Sequence, residues 1–222
     1  MSSSKKIKKC SFIYWIQWKI VCWFFWPYFR FHAHDRDNVP KKGGVLIAGN
    51  HASFLDPPLI GFVGPRPMHY LARSTLFTAN KFWGWYLRSI HCHEIERDSA
   101  DIRAMRAALQ MLEDGLATVV FPEGTRTTTG RLRSAKPGIG WIALHSRCPV
   151  VPTYLKGTYQ LWPKGQKKPK PGRIDIYFGK PIDLSDLCAE KKIPRENYQI
   201  ATDRIMAALS QMEAKHSPSA EK

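Results

Sequence analysis

Six short strand candidates recur along the chain: Val45–Gly49, Met68–Ala72, Ile90–Ile95, Ala117–Phe121, Val150–Leu155 and Arg173–Phe178. Each has the length of a strand. Val45–Gly49 and Ala117–Phe121 are apolar without alternation, the pattern of strands buried on both faces. Helical patterns fall between the strands. Asp101–Asp114 carries Ile102, Met105, Leu109 and Leu112 at helical spacing and stops at Gly115. Asp56-Pro57-Pro58 opens another helix, with Asp at the N-cap and Pro at the first helical position. Phe82–Leu87, Gly138–Ser146 and a last segment marked by Ile200, Ile205, Leu209 and Met212 complete the set. Strands alternating with helices predict an α/β fold, a single domain whose central sheet is largely parallel and flanked by helices. A chain of 222 residues suffices for one substantial core.

The N-terminus obeys a different pattern. Lys5, Lys6, Lys8 and Lys9 precede an apolar stretch, Cys10–Phe29, that holds Trp15, Trp18, Trp23 and Trp26. Bulky rings and Lys19 inside the run argue against a cleaved signal peptide. The stretch barely reaches the length of a membrane span, whereas an interfacial helix accommodates Gln17 and Lys19 at its edge and uses every aromatic ring. Residues 1–34 are therefore expected to be a membrane-associating N-terminal helix, 35–214 the folded domain and 215–222 a polar tail. The formal net charge of +16 favours anionic partners. Five scattered cysteines without a C-x-x-C pair fit a reducing compartment and no disulfide framework.

Two segments carry chemistry. In Asn50-His51-Ala52-Ser53-Phe54-Leu55-Asp56, a histidine follows a strand and a carboxylate stands five residues on. That spacing does not share a face of a regular helix, but it closes across a tight strand-to-helix turn. An imidazole held by a carboxylate is a general base. The alternative is an Asp56 that only caps a helix beside a loop histidine. In Phe121-Pro122-Glu123-Gly124-Thr125-Arg126-Thr127, a glycine-containing loop follows a buried strand, where α/β folds place ligands. Arg126 offers a planar fork suited to phosphate. The alternative is a surface turn with a solvated arginine. His91-Cys92-His93-Glu94 invites a metal reading, but strand alternation separates Cys92 from the histidines, so no metal is expected. His32-Ala33-His34-Asp35 reads as an interfacial polar cluster, and Gly138-Ile139-Gly140 as close packing at a helix start.

Taken together, these segments resemble the glycerolipid acyltransferase family. His51 and Asp56 match its H-x-x-x-x-D block. Arg73, in Tyr70-Leu71-Ala72-Arg73-Ser74-Thr75-Leu76-Phe77, stands where the second block has a basic residue, often lysine. Glu123, Gly124, Thr125 and Arg126 match the third block, and Val151-Pro152-Thr153-Tyr154 the fourth. The resemblance implies that His51 deprotonates an acceptor hydroxyl while Asp56 orients it. Arg126 and Arg73 would bind the acceptor's phosphate, with Glu123, Gly124 and Thr125 forming that pocket and Arg97 a further anion contact. The acyl donor would be acyl-CoA or an acyl carrier protein and the acceptor 1-acyl-glycerol-3-phosphate (lysophosphatidic acid), giving phosphatidic acid at the cytoplasmic face of a phospholipid membrane. No cofactor and no covalent acyl-enzyme are implied. Other acceptors of the same class are glycerol 3-phosphate, a lysophospholipid or a hydroxylated aminolipid. A reading from another class is a non-catalytic basic module that binds membranes; nothing resembles a nucleic-acid-reading motif.

Overall fold

The computed structural model describes residues 19, 23, 25–78, 80–95, 100–189 and 192–217. Lys5, Lys6, Lys8, Lys9 and most of the apolar stretch that follows lie outside the described residues. Seven strands form one sheet: β1 (Phe31–His34), β2 (Val45–Gly49), β3 (Met68–Arg73), β4 (Cys92–Ile95), β5 (Ala117–Val120), β6 (Val150–Lys156) and β7 (Ile174–Phe178). Their order is β1-β7-β6-β2-β5-β3-β4. Every neighbouring pair is parallel except β6–β7. The largely parallel sheet is thus as expected.

Strand β2 is central and buried throughout, because both faces are covered. Val45 and Ile47 enter one core with Leu59, Ile60 and Val63 of helix α1 (Asp56–Val63). Leu46 and Ala48 enter the other, with Leu112, Ile142 and Ile205. Those three come from α4 (Ala100–Glu113), α5 (Gly138–Ser146) and α7 (Arg195–His216). Shorter helices are α2 (Ser74–Thr78), α3 (Lys81–Ser89) and α6 (Thr158–Leu161), and residues 25–29 are helical as well. The stripe of α4 differs from expectation. Ala108, Met111 and Leu112 are buried, while Ile102 is exposed. The contact row is centred on Ala108, whose small side chain is inconspicuous in the sequence; Ile102 lies one row to the side.

The sheet also contains a strand that composition concealed. Residues 31–34, grouped above with the N-terminal segment, pair in parallel with β7. Phe29 and Phe31 are buried in the core. His34 Nε2 lies 2.9 Å from Asp175 Oδ1, and Arg173 donates to both oxygens of the same carboxylate at 2.9 Å. His34 is therefore committed to the sheet edge rather than to an interfacial polar cluster. The strand has four residues inside an aromatic tract, too few for its alternation to stand out. Among the described residues, no helix is long and apolar enough to cross a membrane.

Gly140 places α5 against α7. A Cβ there would collide with the Tyr198 carbonyl oxygen and come within 2.6 Å of Thr202 Oγ1. Close packing, as read from the sequence, is its role. Gly140→Val should cost about 1–3 kcal/mol by overpacking, seen as a lower urea midpoint with an unchanged slope. Acid should also weaken the fold. Burial first, then His91, His93 and Arg66, push the His69 pKa down from 6.5 to about 3. As pH falls below 6.5, the unfolded chain takes up a proton that folded His69 refuses, so stability is lost progressively toward about 3. Urea midpoints across that range should show a shallower acid decline in His69→Gln.

Candidate active site

The site forms where β2 and β5 end side by side. β2 connects to β3 on one side, whereas β5 leads to β6 on the other. A crevice opens at such a switch of direction, at the carboxyl ends of the strands.

Asn50 governs the exit of the chain from β2. Its N–H still donates to the Thr153 carbonyl at 3.3 Å. Its side-chain amide then acts as a further rung toward β6: Nδ2 donates to the Leu155 carbonyl at 3.2 Å, and Leu155 N–H donates to Oδ1 at 2.7 Å. The backbone is free to turn away while the sheet edge stays satisfied. His51 is the first residue of that turn.

His51 Nδ1 lies 2.9 Å from Asp56 Oδ2. The same oxygen accepts the N–H groups of Ala52 at 2.6 Å and Ser53 at 2.7 Å. Asp56 is fully buried. An oxygen holding two backbone donors is itself an acceptor, so His51 donates from Nδ1 and keeps the lone pair on Nε2. The five-residue spacing closes across a turn, as expected. Asp56 is not the N-cap, however. Leu55 occupies that position, and the carboxylate points back to the turn instead of forward into α1. The imidazole packs flat on Phe121, ring centroids 4.2 Å apart.

The loop after β5 is braced onto the same turn. Glu123 is buried; its Oε1 accepts His51 N–H at 2.7 Å and its Oε2 accepts Arg133 N–H at 3.1 Å. Burial raises its pKa, opposed by those two N–H bonds and by His51. Thr127 N–H donates in return to the His51 carbonyl at 2.8 Å. The backbone of His51 is thus held from both directions by one loop. Gly124 turns that loop at φ 66, a left-handed conformation that suits glycine, and Gly124 and Thr125 lie exposed on its outside.

Arg126 reaches back toward the His51 turn. Its guanidinium carbon lies 3.5 Å from the centroid of the Phe54 ring. Burial lowers its pKa and the Asp56 charge opposes that shift. Its Nη1 is buried and has no hydrogen-bond partner among the described residues. Arg73 ends β3 at the same carboxyl edge of the sheet. Arg97 lies outside the described residues. Sequence reasoning missed Asn50, Ser53 and Arg133. Ser53 is buried, and its Oγ donates to the Trp162 carbonyl at 2.8 Å. Asn50 and Ser53 do lie within the histidine motif, but Arg133 acts through its backbone and has no side-chain signature.

A family model described as acyltransferase matches residues 30–156. The chain belongs to the acyltransferase family. Residues 30–156 include β1 and run through the His51 turn, the Glu123 loop and β6. This acyltransferase is 27% identical over 185 residues to a 1-acyl-sn-glycerol-3-phosphate acyltransferase of Bacillus subtilis, covering 82% of this chain and 88% of the relative. It is 34% identical over 145 residues to one from Cocos nucifera, covering 64% of this chain and 47% of that longer protein. The crystal structure of the 1-acyl-sn-glycerophosphate acyltransferase PlsC from Thermotoga maritima superimposes with a TM-score of 0.72 at 26% identity, covering 94% of this chain and 82% of that one.

Glu123→Gln tests the brace. Each carboxylate oxygen accepts from a backbone N–H, and an amide can serve only one of them, because its –NH₂ would face the other donor. The expected cost is about 1–3 kcal/mol of stability for the unpaired group, together with lower turnover from a displaced His51. A melting curve measured beside the activity assay reads both; an unchanged melting temperature would contradict the brace.

Proposed function

We propose that this acyltransferase esterifies 1-acyl-glycerol-3-phosphate, taking the acyl group from acyl-CoA or an acylated carrier protein and producing phosphatidic acid. The observation that carries the reading is Arg126 Nη1, a buried cationic donor without a partner among the described residues, beside the His51–Asp56 pair. A buried guanidinium N–H left unpaired is costly, and a phosphate oxygen is its natural acceptor. Phosphate held there brings the acceptor's hydroxyl toward His51 Nε2.

In the step proposed, Nε2 takes the hydroxyl proton as the oxygen attacks the thioester carbonyl. Buried Asp56 stabilises the imidazolium that forms. The tetrahedral intermediate collapses, the C–S bond breaks, and the imidazolium returns its proton to the leaving thiolate. A C–O ester bond replaces the thioester, and no acyl group passes through the protein. Arg73, at the end of β3, is the second cation assigned to the phosphate, with Thr125 on the loop rim and Arg97 as a further anion contact. The exposed rings of Trp23, Phe25, Trp26 and Tyr28 support docking of this end of the molecule on a phospholipid membrane, which we place at the cytoplasmic face.

His51→Ala should lower turnover by roughly 10²–10⁴ with the fold intact, as for loss of a general base. Near-parental turnover in a folded variant would remove His51 from that role. Arg126→Ala should raise acceptor KM and lower kcat/KM by roughly 10–150-fold, the loss of one charge-assisted pair. If donor KM moves and acceptor KM does not, Arg126 serves the donor.

A further inference from the structure

The loop between α6 and β7 takes no part in the chemistry described, yet it touches both ends of the problem. It carries Lys164, Lys167, Lys168 and Lys170, all exposed, and no acidic residue between Trp162 and Arg173. It is well tied. Lys170 N–H donates to the Leu161 carbonyl at 2.8 Å, and Trp162 Nε1 donates to the Gln166 carbonyl at 2.9 Å. At one side it is bonded to the aromatic N-terminal segment: Tyr28 Oη donates to the Pro169 carbonyl at 2.9 Å, and Gly172 N–H donates to the Tyr28 carbonyl at 3.1 Å. At the other side it meets the catalytic turn, where Ser53 Oγ bonds the Trp162 carbonyl and Trp162 packs against exposed Phe54, ring centroids 5.8 Å apart. Phe54 in turn carries Arg126 on its face.

We propose that this lysine loop is a second membrane contact, an electrostatic arm that binds the surface of an anionic phospholipid bilayer beside the exposed rings of Trp26 and Tyr28 and sets the active-site mouth against it. The occupant follows from what adjoins the loop. A row of cations without acidic neighbours attracts any polyanion, but here it is hydrogen-bonded to the exposed Tyr28 ring, and exposed Trp26 stands two residues away, rings of the kind that settle among lipid headgroups. A bilayer satisfies both surfaces at once. The rings alone would leave the protein free to pivot; a basic contact on the far side of Tyr28, bonded to the His51 turn, fixes the tilt. The proposal rests on a lipid acceptor, as proposed above.

The test uses the full chain and the variant K164Q/K167Q/K168Q/K170Q. Partition is measured on vesicles of phosphatidylcholine alone and of phosphatidylcholine with phosphatidylglycerol. Turnover is measured on vesicle-borne lysophosphatidate and on a short-chain, water-soluble one. A lysine near an anionic surface contributes roughly fivefold in binding, so the variant, which loses four, should lose on the order of several hundredfold on anionic vesicles at low salt. It should bind neutral vesicles like the parent, turn over the vesicle-borne acceptor more slowly and turn over the soluble one unchanged. Equal partition of parent and variant on anionic vesicles overturns the proposal. So does an equal loss of turnover on soluble and vesicle-borne acceptor, which would place the lysines in the active site. Tighter retention of the parent by RNA than by anionic vesicles would also overturn it. If the parent acylates neither acceptor, the acceptor reading fails, and the vesicle partition still decides the role of the loop.

Discussion

Strand β2 is hydrogen-bonded on both edges and buried on both faces, so its chain can leave the sheet only at its ends. At the carboxyl end the departure must not strand the neighbouring edge of β6. The Asn50 side chain completes that edge by pairing with the Leu155 backbone. This one substitution of side chain for backbone lets the next residue, His51, turn out of the sheet in a defined direction. The arrangement of Asp56, Glu123 and Arg126 around the imidazole follows from that exit.

Two buried carboxylates flank the turn and do different work. Asp56 gathers the imidazole N–H and two backbone N–H groups on one oxygen, which fixes ring orientation and tautomer together. Glu123 spends both oxygens on backbone donors that belong to separate loops. Its contribution to the site is geometric: it sets the distance between the β2 and β5 exits. Arg126 lies within electrostatic reach of Asp56, and stacking on Phe54 keeps its guanidinium beside the His51 turn.

The same economy joins the site to its surroundings. Ser53 and Phe54 lie inside the His51 turn and also contact Trp162, at the start of the loop between α6 and β7. Tyr28 contacts the far end of that loop. The His51 turn and the exposed aromatic surface are therefore joined through one tied loop rather than being separate modules on a linker.

Much of this was legible in the linear chain. Buried parallel strands announce themselves as unbroken apolar runs, and helices by their periodicity, because burial acts on neighbouring side chains. The His51–Asp56 spacing and the Glu123–Arg126 string likewise lie within single turns, where local geometry and composition carry the information. Other features left no such trace. β1 became a strand only because β7 was there to pair with it, and Phe31–His34 is too short to declare itself. Asp56 looked like a helix cap until the folded turn offered its oxygen better donors upstream. The bond from Glu123 to His51 spans 72 residues, and that from Asn50 to Leu155 spans 105. Sequence alone determined which residues were hydrophobic enough to build the sheet and which short motifs stood at strand ends. Tertiary structure decided which ends met, because hydrogen bonds between backbone and distant side chains depend on the packing of the whole sheet and not on any period along the chain.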